Sequence, residues 1–227
     1  MDIAANIARI QGQIDATCRN CGRDPASVRL VAVSKKKPAA AIEAAIAAGQ
    51  ILFGESYVQE CVAKIEEVRN PAQWHFIGAL QSNKVKYLRG KVAMVHSVDR
   101  LSLAEEIDRQ WGKDDISVDI LIQVNLGEEA TKAGTTAADV IDLVCQVARL
   151  EHVRIKGLMA LPPWADDAEE VRPYFRQLRQ LASQIAVLGL PNVAMQELSM
   201  GMSHDFEVAI EEGATLVRIG TAIFGER

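Results

Sequence analysis

Val28-Arg29-Leu30-Val31-Ala32-Val33-Ser34, then Lys35-Lys36-Lys37-Pro38, an alanine-rich run from Ala39 to Ala48, Gly49, and finally Ile51-Leu52-Phe53-Gly54 make one strand–helix–strand unit. The first segment is β-branched, apolar and bounded by turn residues, the pattern of a strand covered on both faces. Pro38 suits the opening of a helix and Gly49 suits a left-handed stop, so the alanine run between them reads as helix. A helix between two buried strands implies a right-handed crossover and a parallel pair.

The same alternation runs on through the chain. Further strands read at Trp74–Ile77, Ala93–Val98, Val118–Asn125, Arg154–Met159, Val193–Leu198 and Leu216–Ile219. Helical patterns lie near Tyr57–Arg69, Ser82–Leu88, Leu101–Trp111, Ala137–Leu150, Glu169–Leu188 and Phe206–Glu212. Ahead of the first unit, Ile3, Ile7, Ile10 and Ile14 form the stripe of an amphipathic helix. Eight strands alternating with helices is the count of a closed (β/α)8 TIM barrel, an α/β fold. An open doubly wound sheet is the alternative, because Ile51–Gly54 and Ala93–Val98 are short. The run Ala45-Ile46-Ala47-Ala48-Gly49 echoes Ala209-Ile210-Glu211-Glu212-Gly213, each leading from a helix through glycine into a strand. The expectation is one barrel domain over residues 1–227, with residues 1–21 as a preceding helix.

Composition narrows the class. The 227 residues are 49% hydrophobic and 24% charged, as in an ordinary globular protein, which argues against disorder and fibrous repeats. The net charge of −5 offers no basic surplus for nucleic acid or an anionic membrane. No apolar run approaches the ~20 residues of a membrane span, and Met1-Asp2-Ile3-Ala4-Ala5-Asn6 lacks the basic and apolar regions of a signal peptide. A cytoplasmic protein with reduced thiols is expected. Cys18 and Cys21 form a C-x-x-C, but neither Cys61 nor Cys145 completes a zinc set, so the motif reads as incidental and no metal site is expected.

In a barrel the site lies at the C-terminal ends of the strands, with phosphate often held by the loops after strands seven and eight. Those loops are Ser199-Met200-Gly201-Met202-Ser203-His204-Asp205 and Gly220-Thr221-Ala222-Ile223-Phe224-Gly225. Each offers a small residue, a hydroxyl and the amides of a helix start, which suit an anion; Ser203 or Thr221 acting as a simple helix cap is the competing reading. At the end of the first strand, Lys35 faces the mouth if alternation continues from Val31 and Val33, whereas Lys36 then faces away. Desolvation there favours the neutral amine that condenses with an aldehyde. Arg218 lies inside an apolar strand, where a buried guanidinium needs either an internal carboxylate or a ligand. A phosphorylated aldehyde fits these features. It could be a sugar phosphate on a Schiff-base aldolase or pyridoxal 5′-phosphate.

Seven blocks, from Ala32-Val33-Ser34-Lys35 to Val217-Arg218-Ile219-Gly220-Thr221-Ala222-Ile223-Phe224-Gly225, resemble the pyridoxal phosphate homeostasis protein family. Between them lie Phe53-Gly54-Glu55, Trp74-His75-Phe76-Ile77-Gly78, Leu80-Gln81-Ser82-Asn83-Lys84, Gly157-Leu158-Met159-Ala160 and Ser199-Met200-Gly201-Met202-Ser203. The resemblance spans nearly the whole chain in the family's order. It implies a fold type III barrel like the N-terminal domain of alanine racemase, with the cofactor held as a reversible aldimine on Lys35. It further implies a phosphate cradle of Ser199, Gly201, Met202, Ser203, Gly220 and Thr221, and places Arg218 at the pyridine nitrogen.

Arginine stays protonated and only donates, so such a ring nitrogen stays unprotonated and is a weaker electron sink. Only Glu226 and Arg227 follow residue 225, so no second domain is expected to bring the racemases' extra base. The implied role is a monomeric carrier and buffer of pyridoxal phosphate, delivering it to apo-enzymes, with no catalytic residues of its own. A single-domain racemase or decarboxylase is the alternative. Two positions depart from the family pattern: Ser56 replaces Asn and Ala79 replaces Pro. His75 and Asn83 could border the cofactor, with a buried hydrogen-bonded histidine and a helix cap as the plain alternatives. His96 and His152 read as structural or exposed, His204 and Asp205 as companions of the phosphate loop, and Lys132 as a candidate second lysine for aldehyde transfer.

Overall fold

The computed structural model describes residues 2–127 and 133–226. Its strands are β1 (Arg29–Val33), β2 (Leu52–Glu55), β3 (Gln73–Phe76), β4 (Met94–Val98), β5 (Val118–Asn125), β6 (Thr135–Thr136), β7 (Val153–Ala160), β8 (Val193–Ser199) and β9 (Leu216–Ile219). They pair in the order β4-β3-β2-β1-β9-β8-β7-β5, and β4 also pairs with β5, which closes the ring. Every pairing is parallel. Two-residue β6 adds to β5 outside that ring. The sheet is therefore a closed barrel of eight strands, and the open alternative falls away.

The helices are α1 (Ile3–Asn20), α2 (Ala39–Ala47), α3 (Val58–Glu67), α4 (Leu101–Trp111), α5 (Val140–Val147), α6 (Arg172–Ala186), α7 (Phe206–Glu211) and α8 (Thr221–Phe224). The pattern near Ser82–Leu88 folds as a 3-10 helix, Ser82–Tyr87. The echo between residues 45–49 and 209–213 is geometric as well as sequential. Gly49 and Gly213 both take left-handed backbone, at φ +90 and +105. In both, the next amide reaches back to an alanine carbonyl, Gln50 to Ala45 at 3.0 Å and Ala214 to Ala209 at 2.8 Å. A side chain at either glycine would strain this stop.

Two apolar layers hold the barrel. Outside it, one face of each strand packs on the helices, as with Ala32, Phe53, Ile120 and Ile219, all buried. Inside, Val31, Leu52, Met94, Leu121, Met159 and Leu216 form a separate plug, contributed by β1, β2, β4, β5, β7 and β9. Burying each such side chain stabilises the fold by about 1.5–3 kcal/mol. Above the plug the interior turns polar.

Helix α1 begins at Asp2, whose carboxylate accepts from the Ala5 amide at 3.0 Å. Ile7, Ile10 and Ile14 of the expected stripe are buried and Ile3 is half-buried; Cys18 continues the buried face. The polar edge of α1 grips the last helix: Asn6 donates to the Ile223 carbonyl at 2.9 Å and Arg9 to the Ala222 carbonyl at 3.2 Å. Cys18 and Cys21 are free thiols. No helix among the described residues is long and apolar enough to cross a membrane.

Candidate functional site

β9 brings Arg218 into the barrel two residues above Leu216 of the plug, on the same face. Arg218 is 4% exposed. Nη1 donates to Ser199 Oγ at 2.6 Å and Nη2 to the Ala160 carbonyl at 2.9 Å. Ser199 Oγ also meets His96 Nδ1 at 2.9 Å, and His96 Nε2 meets His75 Nδ1 at 2.9 Å. A buried polar chain thus crosses the interior from β3 and β4 to β8 and β9. Burial holds His75 down to about 3 and His96 well below the usual histidine value, so both are neutral. Burial also lowers Arg218 to about 10, against a smaller opposing pull from Asp205, and it stays a cation at neutral pH.

Among the described residues no carboxylate lies within ion-pair distance of Arg218. A guanidinium buried with only neutral partners is costly unless an anion or a strong acceptor completes it. The internal carboxylate expected as one reading of Arg218 is therefore not found among the described residues.

The loops after β8 and β9 meet beside it. Arg218 donates its amide to the Gly201 carbonyl at 2.9 Å, and Thr221 Oγ1 donates to Ser203 Oγ at 3.2 Å. Gly201 sits at φ +90, where a Cβ would lie 2.7 Å from the Ala209 methyl, so only glycine lets this loop fold down onto α7. Gly220 is packed against the end of β1, with room for a Cβ only 3.1 Å from the Val33 carbonyl. Neither hydroxyl caps a helix, since the N-cap positions of α7 and α8 are Asp205 and Gly220. Met202 and Ser203 are half-buried and Thr221 exposed at the rim. The Ser199 hydroxyl, by contrast, is committed to Arg218 and His96. Asp205 shapes the loop: its carboxylate accepts from the Met202 amide at 2.6 Å, and burial raises its pKa.

Lys35 lies two residues past the end of β1, in a turn rather than in the strand. β1 ends at Val33, and Ser34-Lys35-Lys36-Lys37 is a turn closed by the Lys37 amide on the Ser34 carbonyl at 3.0 Å. Within it Lys35 and Lys37 are half-buried and Lys36 is exposed. Outside the barrel wall, Ser34 Oγ donates to Glu55 Oε1 at 2.7 Å, and Lys64 of α3 donates to the same oxygen at 2.7 Å. The loop carrying Ser56 touches the next one so closely that a Cβ on Gly78 would meet the Ser56 carbonyl at 2.2 Å.

His75 is the hydrogen-bonded interior histidine, and His96 is its buried partner rather than a bystander. Asn83 is exposed within the 3-10 helix, whose N-cap is Gln81, so it is not a cap. His152 is half-buried. His204 is exposed, stacked 6.2 Å from Trp164, and Ala79 is exposed. Lys132 lies outside the described residues. Among the described residues no group of three or more His, Cys, Asp or Glu side chains is placed for a metal.

Residues 4–227 match the family model for the alanine racemase N-terminal domain. The pyridoxal phosphate homeostasis protein of Aquifex aeolicus is 45% identical, covering 100% of this chain and 99% of the relative. The chain belongs to the pyridoxal phosphate homeostasis protein family. Its Escherichia coli K12 member is 44% identical over 100% of this chain and 97% of its own length. Among solved structures of the family's kind, PipY of Synechococcus elongatus with PLP bound superposes at a TM-score of 0.87 with 40% identity, covering 98% of this chain and 100% of that one. The alanine racemase of Corynebacterium glutamicum shares the fold at a TM-score of 0.68 and 14% identity, covering 96% of this chain and 61% of that one.

Proposed function

We propose that this chain binds pyridoxal 5′-phosphate reversibly through the Lys35 amine and acts as a monomeric, cytoplasmic carrier that buffers the cofactor and hands it to apo-enzymes, without robust catalysis of its own. The observation that carries the reading is Arg218: a buried cation without a carboxylate among the described residues, beside a glycine-shaped double loop that offers amides and hydroxyls. A phosphorylated pyridine aldehyde fits that set, since its phosphate takes the loop donors and its ring nitrogen takes a guanidinium proton. When bound, the cofactor supplies an aldehyde that condenses with a neutral lysine amine and releases water.

The chain's own residues then divide the work. Gly201, Met202, Ser203, Gly220 and Thr221 hold the phosphate, and Ser199 and the Ala160 carbonyl aim Arg218. Two neutral histidines behind Ser199 supply no second positive charge to the ring. Arg218 donates to the ring nitrogen rather than accepting from it, which keeps carbanion chemistry unfavourable.

Purified protein mixed with pyridoxal phosphate is expected to develop the visible band of a lysine-bound cofactor, and Lys35→Ala to lose it. A band that survives in Lys35→Ala would overturn the assignment. Steady turnover of an amino acid above the rate of free cofactor would instead establish a single-domain racemase or decarboxylase.

A further inference from the structure

Three lysines in a row stand at the mouth, and the two peptide groups that bracket the first of them are both held from α3. The carbonyl of Ser34, in the peptide before Lys35, accepts from Lys64 Nζ at 2.6 Å. The amide of Lys36, in the peptide after it, donates to Glu60 Oε1. Lys64 is the hub. Its remaining protons go to Glu55 Oε1 at 2.7 Å and Glu60 Oε1 at 2.6 Å, so all three ammonium donors are used.

The side chain of Lys64 is 6% exposed and that of Glu55 fully buried. Glu55 Oε2 has no hydrogen-bond partner among the described residues. Such a cluster is expensive to bury and weak as a source of stability. It coincides with backbone strain: Lys36 has φ +61, left-handed backbone at the third position of a turn that ordinarily takes glycine. A non-glycine residue stays there only when its surroundings over-determine it.

We propose that Lys64 and Glu60 are positioning residues that select Lys35, among three adjacent lysines, as the one presented to the mouth. The inference rests on the proposed attachment of the cofactor through Lys35. By fixing the peptide planes on both sides of Lys35, α3 sets its backbone angles and turns Lys36 outward. Without the clamp the turn relaxes, and Lys36 and Lys37 compete for the same aldehyde.

The test is chemical mapping. Pyridoxal phosphate is added and the adduct is trapped with borohydride. The amine has added to the carbonyl with loss of water; hydride then goes to the former carbonyl carbon and a proton to nitrogen. Peptide mass spectrometry locates the label. Wild type should carry it at Lys35. In Lys64→Met and Glu60→Gln the share on Lys36 and Lys37 should rise about tenfold, the effect of losing one charge-assisted hydrogen bond or reducing it to a neutral one. A purely structural loss of stability lowers total label without moving it.

Glu60 is partly exposed, so Glu60→Gln serves if Lys64→Met does not fold. Unchanged label distribution in folded Glu60→Gln, with wild type labelled at Lys35, overturns the clamp alone. Wild type labelled elsewhere, or not at all, overturns the attachment reading instead.

Discussion

At the end where the strands begin, Arg29 on β1 pairs with Glu197 on β8, and the other oxygen of Glu197 accepts from Thr215 at 2.6 Å. Nearby, Arg154 on β7 pairs with Asp119 on β5 at 2.8 Å. At the mouth, Arg218 is more deeply buried than either arginine, yet its partners are a hydroxyl and a carbonyl. Charges at the closed end find each other within the fold. The charge at the mouth has no carboxylate beside it among the described residues. The same residue type therefore carries opposite meanings in one barrel, and the partner list, more than burial, separates them.

The sharpest way to break that contrast is Arg218→Met. If the guanidinium exists for a ligand, its removal should weaken pyridoxal phosphate binding about a hundredfold, the worth of one desolvated charge-assisted contact. The apo protein should be no less stable than wild type, because an uncompensated buried cation has been replaced by a packed thioether. Titration of the cofactor and denaturant unfolding of the apo form measure the two halves; a marked loss of apo stability would make Arg218 a structural residue.

The histidines at the mouth give the next effect. Their folded values lie below the unfolded one near 6.5, with His75 at about 3. Unfolded chains therefore bind more protons as pH falls through 6.5, and stability is lost from there downward. The slope reaches up to about 1.4 kcal/mol per pH unit for each histidine. Denaturation midpoints measured from pH 7 to pH 4 should fall in this sense, and His75→Gln should flatten the fall. The smallest effect belongs to the closed end. Arg29 is 45% exposed, so Arg29→Gln should cost under about 1 kcal/mol by denaturant unfolding and leave cofactor binding unchanged.

The barrel was legible in the sequence because its strands are continuous apolar runs between turn residues, and even the short ones at residues 52–55 and 94–98 stand where expected. The loops after β8 and β9 were legible for the same reason, as they are local in the chain. What joins distant segments was not. His96 reaches Ser199 across 103 positions, and no spacing announces that. One signal was available: His96 alternates with Met94 in a strand buried throughout, so it had to face the interior. Lys64 had a similar signal, lying on the buried helical face of Val58 and Cys61. The exact end of β1 was less legible: the strand stops at Val33, and Ser34–Lys37 is a turn.

The plug of Val31, Leu52, Met94, Leu121, Met159 and Leu216 makes the barrel a cup rather than a tube. A small guest has a single doorway, and it must depart across the sill it crossed on arrival. On the proposed carrier reading, a recipient that took the cofactor directly would meet it at that one rim. Loading and unloading would then exclude each other in time.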